Sequence, residues 1–225
     1  MELVLDTANI EQIKKYIEYF NISGVTTNPT ILSREKSDIK TILCRIKDCI
    51  GDRRLHVQVT GTKWQEMVAE ANSVIQTLGK DIYIKIPSDL QGFRAMKELV
   101  DRGIHVTATV VYSPEQAFMA ALAGADYVAI YYNKQYNYNI NPAKTTSEIK
   151  TMYKANEIKT KIITASFRNT RQVIESFLAG ADAATVSANI MELFSINPLV
   201  ENAVNNFAID WKTAFGGKTL DKLIV

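Results

Sequence analysis

A chain of 225 residues with 47% hydrophobic content can bury a large core, and its length suits a single α/β barrel. A formal net charge of +2 implies neither nucleic acid nor an anionic membrane as a partner. No apolar run approaches the roughly 18 residues of a membrane span, and no basic stretch followed by an apolar one opens the chain, so a soluble cytoplasmic protein is expected.

Apolar periodicity then predicts strands and helices in alternation. Leu3 to Leu5 forms a short strand ending at Asp6, with Thr7 placed to cap a helix over Ile10 to Phe20. Gly24 to Asn28 is a second strand, stopped by Pro29, and a helix carrying Ile39, Ile42, Leu43 and Ile46 follows. The third strand is Leu55 to Val59, with a helix around Trp64 to Leu78. The fourth is Asp81 to Ser88, where Ile82, Ile84 and Ile86 take one face and Tyr83 and Lys85 the other. Later strands are Val106 to Val111, Tyr127 to Tyr132, Lys161 to Ser166 and Ala183 to Ser187. Helices lie between them, and two more follow, near Ile190 to Phe194 and Pro198 to Trp211. The Tyr/Asn-rich segment from Tyr131 to Asn141 reads as a loop. Leu122-Ala123-Gly124-Ala125-Asp126 recurs 56 residues later as Leu178-Ala179-Gly180-Ala181-Asp182. Units of about 28 residues repeated eight times close a (β/α)8 TIM barrel with extra C-terminal helices. No domain boundary shows, so residues 1–225 read as one domain. An open doubly wound sheet is the other α/β arrangement, but no G-x-G-x-x-G follows a strand.

In such a barrel the chemistry sits at the C-terminal ends of the strands. The polar residues there are Asp6, Thr26, Asn28, Gln58, Lys85, Thr109, Tyr131, Lys134, Ser166 and Arg168, from seven strands. Each alone has a structural explanation: a helix cap, a strand threonine, a packed tyrosine, a surface charge. Lys85 is the residue they surround. A lysine in a partly dry site loses charge and becomes a nucleophile toward carbonyls, although an edge lysine reaching water gives the same local pattern. Two histidines, His56 and His105, and two cysteines, Cys44 and Cys49, form no metal pattern, and the cysteines are expected to be reduced. Gly217-Lys218-Thr219 is no P-loop, because Lys212 stands where the first glycine is required.

The motifs Leu5-Asp6-Thr7, Gly24-Val25-Thr26-Thr27-Asn28-Pro29, Tyr83-Ile84-Lys85-Ile86-Pro87, Ala165-Ser166-Phe167-Arg168 and Trp211-Lys212-Thr213-Ala214-Phe215-Gly216 occur in the order seen in the small transaldolase family. Over nearly the whole chain the sequence resembles that family, and within it the fructose-6-phosphate aldolases. The resemblance implies a class I aldolase barrel with Lys85 as the Schiff-base lysine. It also implies a homo-oligomer, typically a decamer of two pentamers, with the C-terminal helix and tail (about 198–225) reaching onto a neighbouring subunit. Gln58 and Tyr131 resemble the aldolase pattern; transaldolases usually carry glutamate and phenylalanine there. Lys134 stands where the family has a phosphate-binding arginine, and Arg168 where the aldolases often have lysine.

The implied reaction is reversible cleavage of fructose 6-phosphate to dihydroxyacetone and glyceraldehyde 3-phosphate. Lys85 forms the iminium, and Tyr131, Gln58 and Thr109 hold a proton-shuttling water. Asp6 assists proton transfer and, with Thr26 and Asn28, meets donor hydroxyls. Lys134, Ser166 and Arg168 hold the phosphate, and no metal or organic cofactor is required. A transaldolase of the pentose phosphate pathway, passing a dihydroxyacetone unit between sugar phosphates, is the alternative within enzymes. A non-catalytic sugar-phosphate-binding barrel is the alternative outside them.

Overall fold

The computed structural model describes residues 1–224. Val225, the last residue of the apolar tail, lies outside the described residues. The chain begins β1 (Glu2–Asp6), α1 (Ile10–Tyr19), β2 (Ile22–Thr26), α2 (Pro29–Leu32) and α3 (Ile39–Ile50). It continues β3 (Arg54–Gln58), α4 (Trp64–Leu78), β4 (Tyr83–Pro87), α5 (Leu90–Val100), β5 (Val106–Val111) and α6 (Pro114–Leu122). Then come β6 (Tyr127–Tyr131), α7 (Tyr132–Asn137), α8 (Pro142–Ala155), β7 (Lys161–Ala165), α9 (Thr170–Leu178) and β8 (Ala183–Val186). The last helices are α10 (Ala188–Ser195) and α11 (Pro198–Phe215). All eight strands are parallel, and β8 closes on β1. This is the expected (β/α)8 barrel with additional C-terminal helices.

The two faces of each strand serve different cores. Ile82, Ile84 and Ile86 are fully buried in the layer between barrel and helices, where they join Leu5, Val25 and Val128 from the strands and Ile13, Ile46 and Met96 from the helices. The opposite faces fill the barrel with a smaller cluster of Val4, Tyr127, Ala129, Ile163 and Ala183, with Tyr83 beside it. Gly24 permits close approach of β2 to β3, since a Cβ there would stand 2.4 Å from the carbonyl oxygen of Arg54.

The five-residue repeat has a physical basis. Gly124 (φ 85°) and Gly180 (φ 100°) take the left-handed conformation that ends α6 and α9. Two residues later the aspartate turns back: Asp126 accepts from the Val106 N–H at 2.8 Å, and Asp182 from the Ile162 N–H at 3.0 Å. Each copy therefore stops a helix and pins the start of the strand before it.

Two local expectations are corrected. The first helix is capped by Asn9, whose side chain accepts from the Gln12 N–H. Thr7 instead accepts from the Asn9 N–H and donates to Gln12, since a cap must stand immediately before the first helical turn. The Tyr/Asn-rich stretch is not all loop. Residues Tyr132–Asn137 form α7, because Tyr132 is fully buried and Gln135 also points inward, an i, i+3 spacing that a loop would not keep.

Contacts divide the chain into Met1–Met191, which holds the barrel, and Glu192–Val225. In the second unit α11 has no buried residue, and Leu199, Val204 and Phe207 are among its exposed apolar side chains. Its end is closed by Gly216 in the left-handed conformation and by a bond from the Trp211 indole N–H to the Lys218 carbonyl. No helix among the described residues is long and apolar enough to cross a membrane.

Candidate active site

A cavity of about 540 Å³ opens at the C-terminal ends of the strands. All ten polar residues chosen from the sequence line it. Lys85 is 6% exposed on β4, beside Gln58 of β3 and Thr107 of β5 in the strand register. Its amine donates to the Thr27 carbonyl at 2.8 Å. That partner is neutral, and either protonation state of the amine can keep the bond. Burial pushes the Lys85 pKa down, and the negative charge of Asp6 acts against it.

Asp6 shows the opposite balance. Burial raises its pKa, while Lys85, the bond from Thr26 and the charge of Arg34 oppose the rise. Asp6 is only half-buried, so the upward push is that of a water-accessible cavity and not of a dry core. Its Oδ1 accepts from Thr26 Oγ1 at 2.7 Å. Asn28 serves also as the N-cap of α2, with Oδ1 taking the Ile31 N–H at 3.0 Å. Its amide NH2 is left as a donor.

Across the barrel, Thr109 Oγ1 donates to the Tyr131 phenol at 3.4 Å, at the long end for such a bond. Burial raises the Tyr131 pKa and so keeps the phenol protonated, with the Thr109 bond opposing the rise. Gln58 Oε1 is buried and has no hydrogen-bond partner among the described residues. Val110 at φ 61° sits in a β-bulge between Ala108 and Val111. A β-branched residue in that conformation is strained, and the bulge lies directly after Thr109.

The loops after β6 and β7 are tied together. Asn133 N–H donates to the Ser166 carbonyl at 3.1 Å. Gln172 joins them by accepting from the Arg168 N–H at 2.8 Å and donating to Asn133 Oδ1 at 2.9 Å. Ser166 is held at φ 65° in this arrangement. Lys134 lies over the Tyr131 ring, 4.5 Å from its centroid. Lys134 and Arg168 are exposed, and among the described residues neither has a carboxylate partner. The result is a rim with two open cations.

Sequence reasoning missed Arg34, Thr107, Thr185, Ser187 and Asn189, which also line the cavity. The strand-end rule that found the others applies equally to β8 and would have drawn in Thr185 and Ser187. Arg34 lies outside β2, in a turn that the sequence does not aim.

A larger hollow of about 610 Å³ lies at the other end of the barrel, lined by Arg54, Tyr83, Asp126, Tyr127 and Lys161 among others. Two of its cations are already paired: Arg54 and Lys161 both bond to Glu2, which also accepts from the Tyr127 phenol. Lys85 does not line it, and it sits at the end where barrel residues usually serve stability. The smaller cavity is the candidate site.

Residues 3–219 match the model of a family described as transaldolase/fructose-6-phosphate aldolase. A probable fructose-6-phosphate aldolase of Streptococcus pneumoniae (strain ATCC 700669 / Spain 23F-1) is 39% identical over 215 residues, covering 94% of this chain and 96% of that protein. A probable transaldolase of Desulfosudis oleivorans (strain DSM 6200 / JCM 39069 / Hxd3) is 36% identical over 214 residues, covering 95% and 99%. Among solved structures, native KDPGal superposes with a TM-score of 0.59 at 12% identity, covering 82% of this chain and 81% of that chain. A mandelate oxidase mutant with an FMN adduct gives 0.57 at 11% identity, covering 84% and 64%. These two likenesses speak to the barrel fold alone. The match across the whole barrel, with relatives of both activities at this identity, makes the chain a member of the transaldolase/fructose-6-phosphate aldolase family and an enzyme of aldolase or transaldolase type.

Proposed function

We propose that this enzyme is a class I aldolase that cleaves fructose 6-phosphate reversibly to dihydroxyacetone and glyceraldehyde 3-phosphate. The observation that carries the reading is Lys85. It is a buried amine in a polar cavity, bonded to a neutral carbonyl, and burial favours its uncharged form. Neutral Lys85 adds to the ketose carbonyl and expels water to form an iminium. The neighbouring C–C bond then breaks as the hydroxyl on its far carbon gives up a proton, and the electron pair passes into the iminium as an enamine. Protonation of the enamine carbon and hydrolysis release dihydroxyacetone and regenerate Lys85.

Asp6, Thr26 and Asn28 meet the donor hydroxyls, while Lys134, Ser166 and Arg168 hold the phosphate of the aldehyde half. Release requires a proton donor at the enamine. Tyr131 keeps its proton, Thr109 is bonded to it, and Gln58 offers an unpaired buried acceptor. Those three groups suit a bound water that carries the proton. Transaldolase is the second reading, favoured by the 36% identical relative of that name. It differs in passing the enamine to another aldose phosphate. The exposed apolar side chains of α11 support a homo-oligomer in which this helix covers a second copy.

The test follows free dihydroxyacetone formed from fructose 6-phosphate with no acceptor present, alongside borohydride trapping and peptide mapping. The native enzyme is expected to release dihydroxyacetone and to trap an adduct on Lys85. Tyr131→Phe is expected to cut release on the order of 10²-fold with trapping retained. Transfer to erythrose 4-phosphate without any release by the native enzyme would replace the aldolase reading with transaldolase, and an adduct mapped elsewhere would end both.

A further inference from the structure

Asp6 does not stand alone on its side of the cavity. Its Oδ1 is bonded to Thr26 Oγ1 at 2.7 Å, and Thr26 Oγ1 is bonded in turn to Thr185 Oγ1 at 2.6 Å. Thr26 is 2% exposed and Thr185 4% exposed, so the two hydroxyls meet each other with little surface open to water. The strand register explains the meeting. Asp6 lies beside Thr26 across β1 and β2, while β8 flanks β1 on its other side with Thr185 beside Val4. Inward residues of alternate barrel strands share a layer. Side chains from β2 and β8 therefore meet inside the barrel, next to the carboxyl group of β1.

We infer that Thr185 is a positioning residue for Asp6, acting through Thr26 to hold the carboxyl group in one orientation and in a hydrogen-bonded frame that serves both of its charge states.

A hydroxyl has a single proton to give. When Asp6 is ionised, Thr26 donates to Oδ1 and accepts from Thr185. The chain then runs toward the charge, and each bond polarises the next. When Asp6 carries a proton on Oδ1, it donates to Thr26, and Thr26 donates to Thr185. Each hydroxyl in the chain keeps a bonded partner in either state, and among the described residues Asp6 Oδ2 has no hydrogen-bond partner. The other groups bearing on Asp6 are the Lys85 amine from β4, the Arg34 guanidinium beyond β2 and the Tyr131 phenol from β6. None of them stands in the place of Thr185, because among the described residues the Thr26 hydroxyl is bonded to Asp6 and Thr185 alone. Removing the Thr185 hydroxyl weakens a bond to a charged acceptor in the ionised state and to a neutral one in the protonated state. The first loss is the larger, so the ionised form suffers more and the Asp6 pKa rises.

The proposed aldolase reading supplies only the catalytic role of Asp6; the positioning itself stands on the contacts. The experiment follows the Asp6 carboxyl by carbon-13 NMR in aspartate-labelled enzyme, with Asp6→Asn assigning the signal. Thr185→Val is expected to raise the titration midpoint by about half to one pH unit, and Thr185→Ser to leave it at the native value. In a Thr26→Val background the same Thr185→Val change is expected to add nothing, since the effect travels through Thr26. The acid limb of kcat/KM for fructose 6-phosphate cleavage is expected to move with the midpoint. A loosened barrel would lower the melting temperature without a serine-restored midpoint. An unmoved midpoint in Thr185→Val, a shift that serine does not restore, or full additivity with Thr26→Val overturns the inference. If fructose 6-phosphate is not cleaved at all, the aldolase reading fails while the carboxyl titration still decides the role of Thr185.

Discussion

Lys134 and Arg168 differ in kind although both are cations. Lysine is a compact point charge and arginine a planar fork that can grip two oxygens at once. The loops that carry them are joined by Asn133, Ser166 and Gln172, so the two charges are offered from one frame. Neither has a carboxylate partner among the described residues, and so neither must give up an ion pair to receive a phosphate. Lys134→Met and Arg168→Met are each expected to raise KM for glyceraldehyde 3-phosphate by about 10- to 150-fold, the value of a charged hydrogen bond of roughly 1.5–3 kcal/mol. KM for an unphosphorylated aldehyde is expected to change little. Steady-state kinetics in the synthesis direction compare the two acceptors; equal effects on both would remove these residues from the phosphate site.

Helix α7 is the element that most changes the picture of the site. Its residues form a wall after β6, and α9 anchors it through a single carboxylate. Glu175 Oε2 accepts from the Tyr132 phenol at 3.1 Å and from the Tyr136 phenol at 2.7 Å. Tyr132 also packs against Phe167, with ring centroids 5.5 Å apart, which links the helix to the β7 loop. Glu175→Leu strips both phenols of their acceptor, and an unmet buried hydroxyl costs about 1–3 kcal/mol. The expected outcome is a lower melting temperature together with a few-fold rise in KM for the phosphorylated acceptor, because Lys134 rides on α7. Borohydride trapping of dihydroxyacetone on Lys85 is expected to stay native. Calorimetry and trapping on the same preparation check both halves.

At the scale of the whole barrel, His56 couples folding to pH. It is 1% exposed, bonded through Nδ1 to Thr107 Oγ1 at 2.8 Å and stacked on Tyr83 with ring centroids 4.7 Å apart. Burial first, then the charges of Lys85 and Arg54, push its pKa from 6.5 down to about 3. The unfolded chain therefore takes up a proton below pH 6.5 that the native barrel refuses. Stability is fully present above that pH and is lost as pH falls from 6.5 toward 3, at up to about 1.4 kcal/mol per pH unit. Glu2 adds a separate loss below its ordinary 4.5, because burial is outweighed there by Lys161, Arg54 and Tyr127 and its pKa is lowered. Thermal unfolding between pH 6.5 and 4.5 lies above the Glu2 loss, and Asp6, whose pKa burial raises, acts on stability there in the opposite sense to His56, so the comparison with a His56 variant reads the histidine. The melting temperature of the native protein is expected to fall across that window and that of His56→Gln to stay flatter; parallel curves would show that His56 does not set the slope.

The alternation of short apolar strands with amphipathic helices, the recurrence of Leu-Ala-Gly-Ala-Asp and the lone lysine among isoleucines were all legible in the sequence by itself. The reason is physical: strand and helix periodicity, glycine C-caps and charge inside apolar runs are local properties of the chain. Because a closed parallel barrel gathers its strand ends at one mouth, locating those ends also located ten of the residues around the cavity. Tertiary structure alone decided the rest. The helical state of Tyr132–Asn137 depends on burial of Tyr132 and on Glu175, 43 residues beyond it. The link from Thr185 to Thr26 spans 159 residues, and it exists only because β8 closes on β1. Which hydroxyl meets which, and which amine is dry, are set by register and closure, and a linear pattern carries neither.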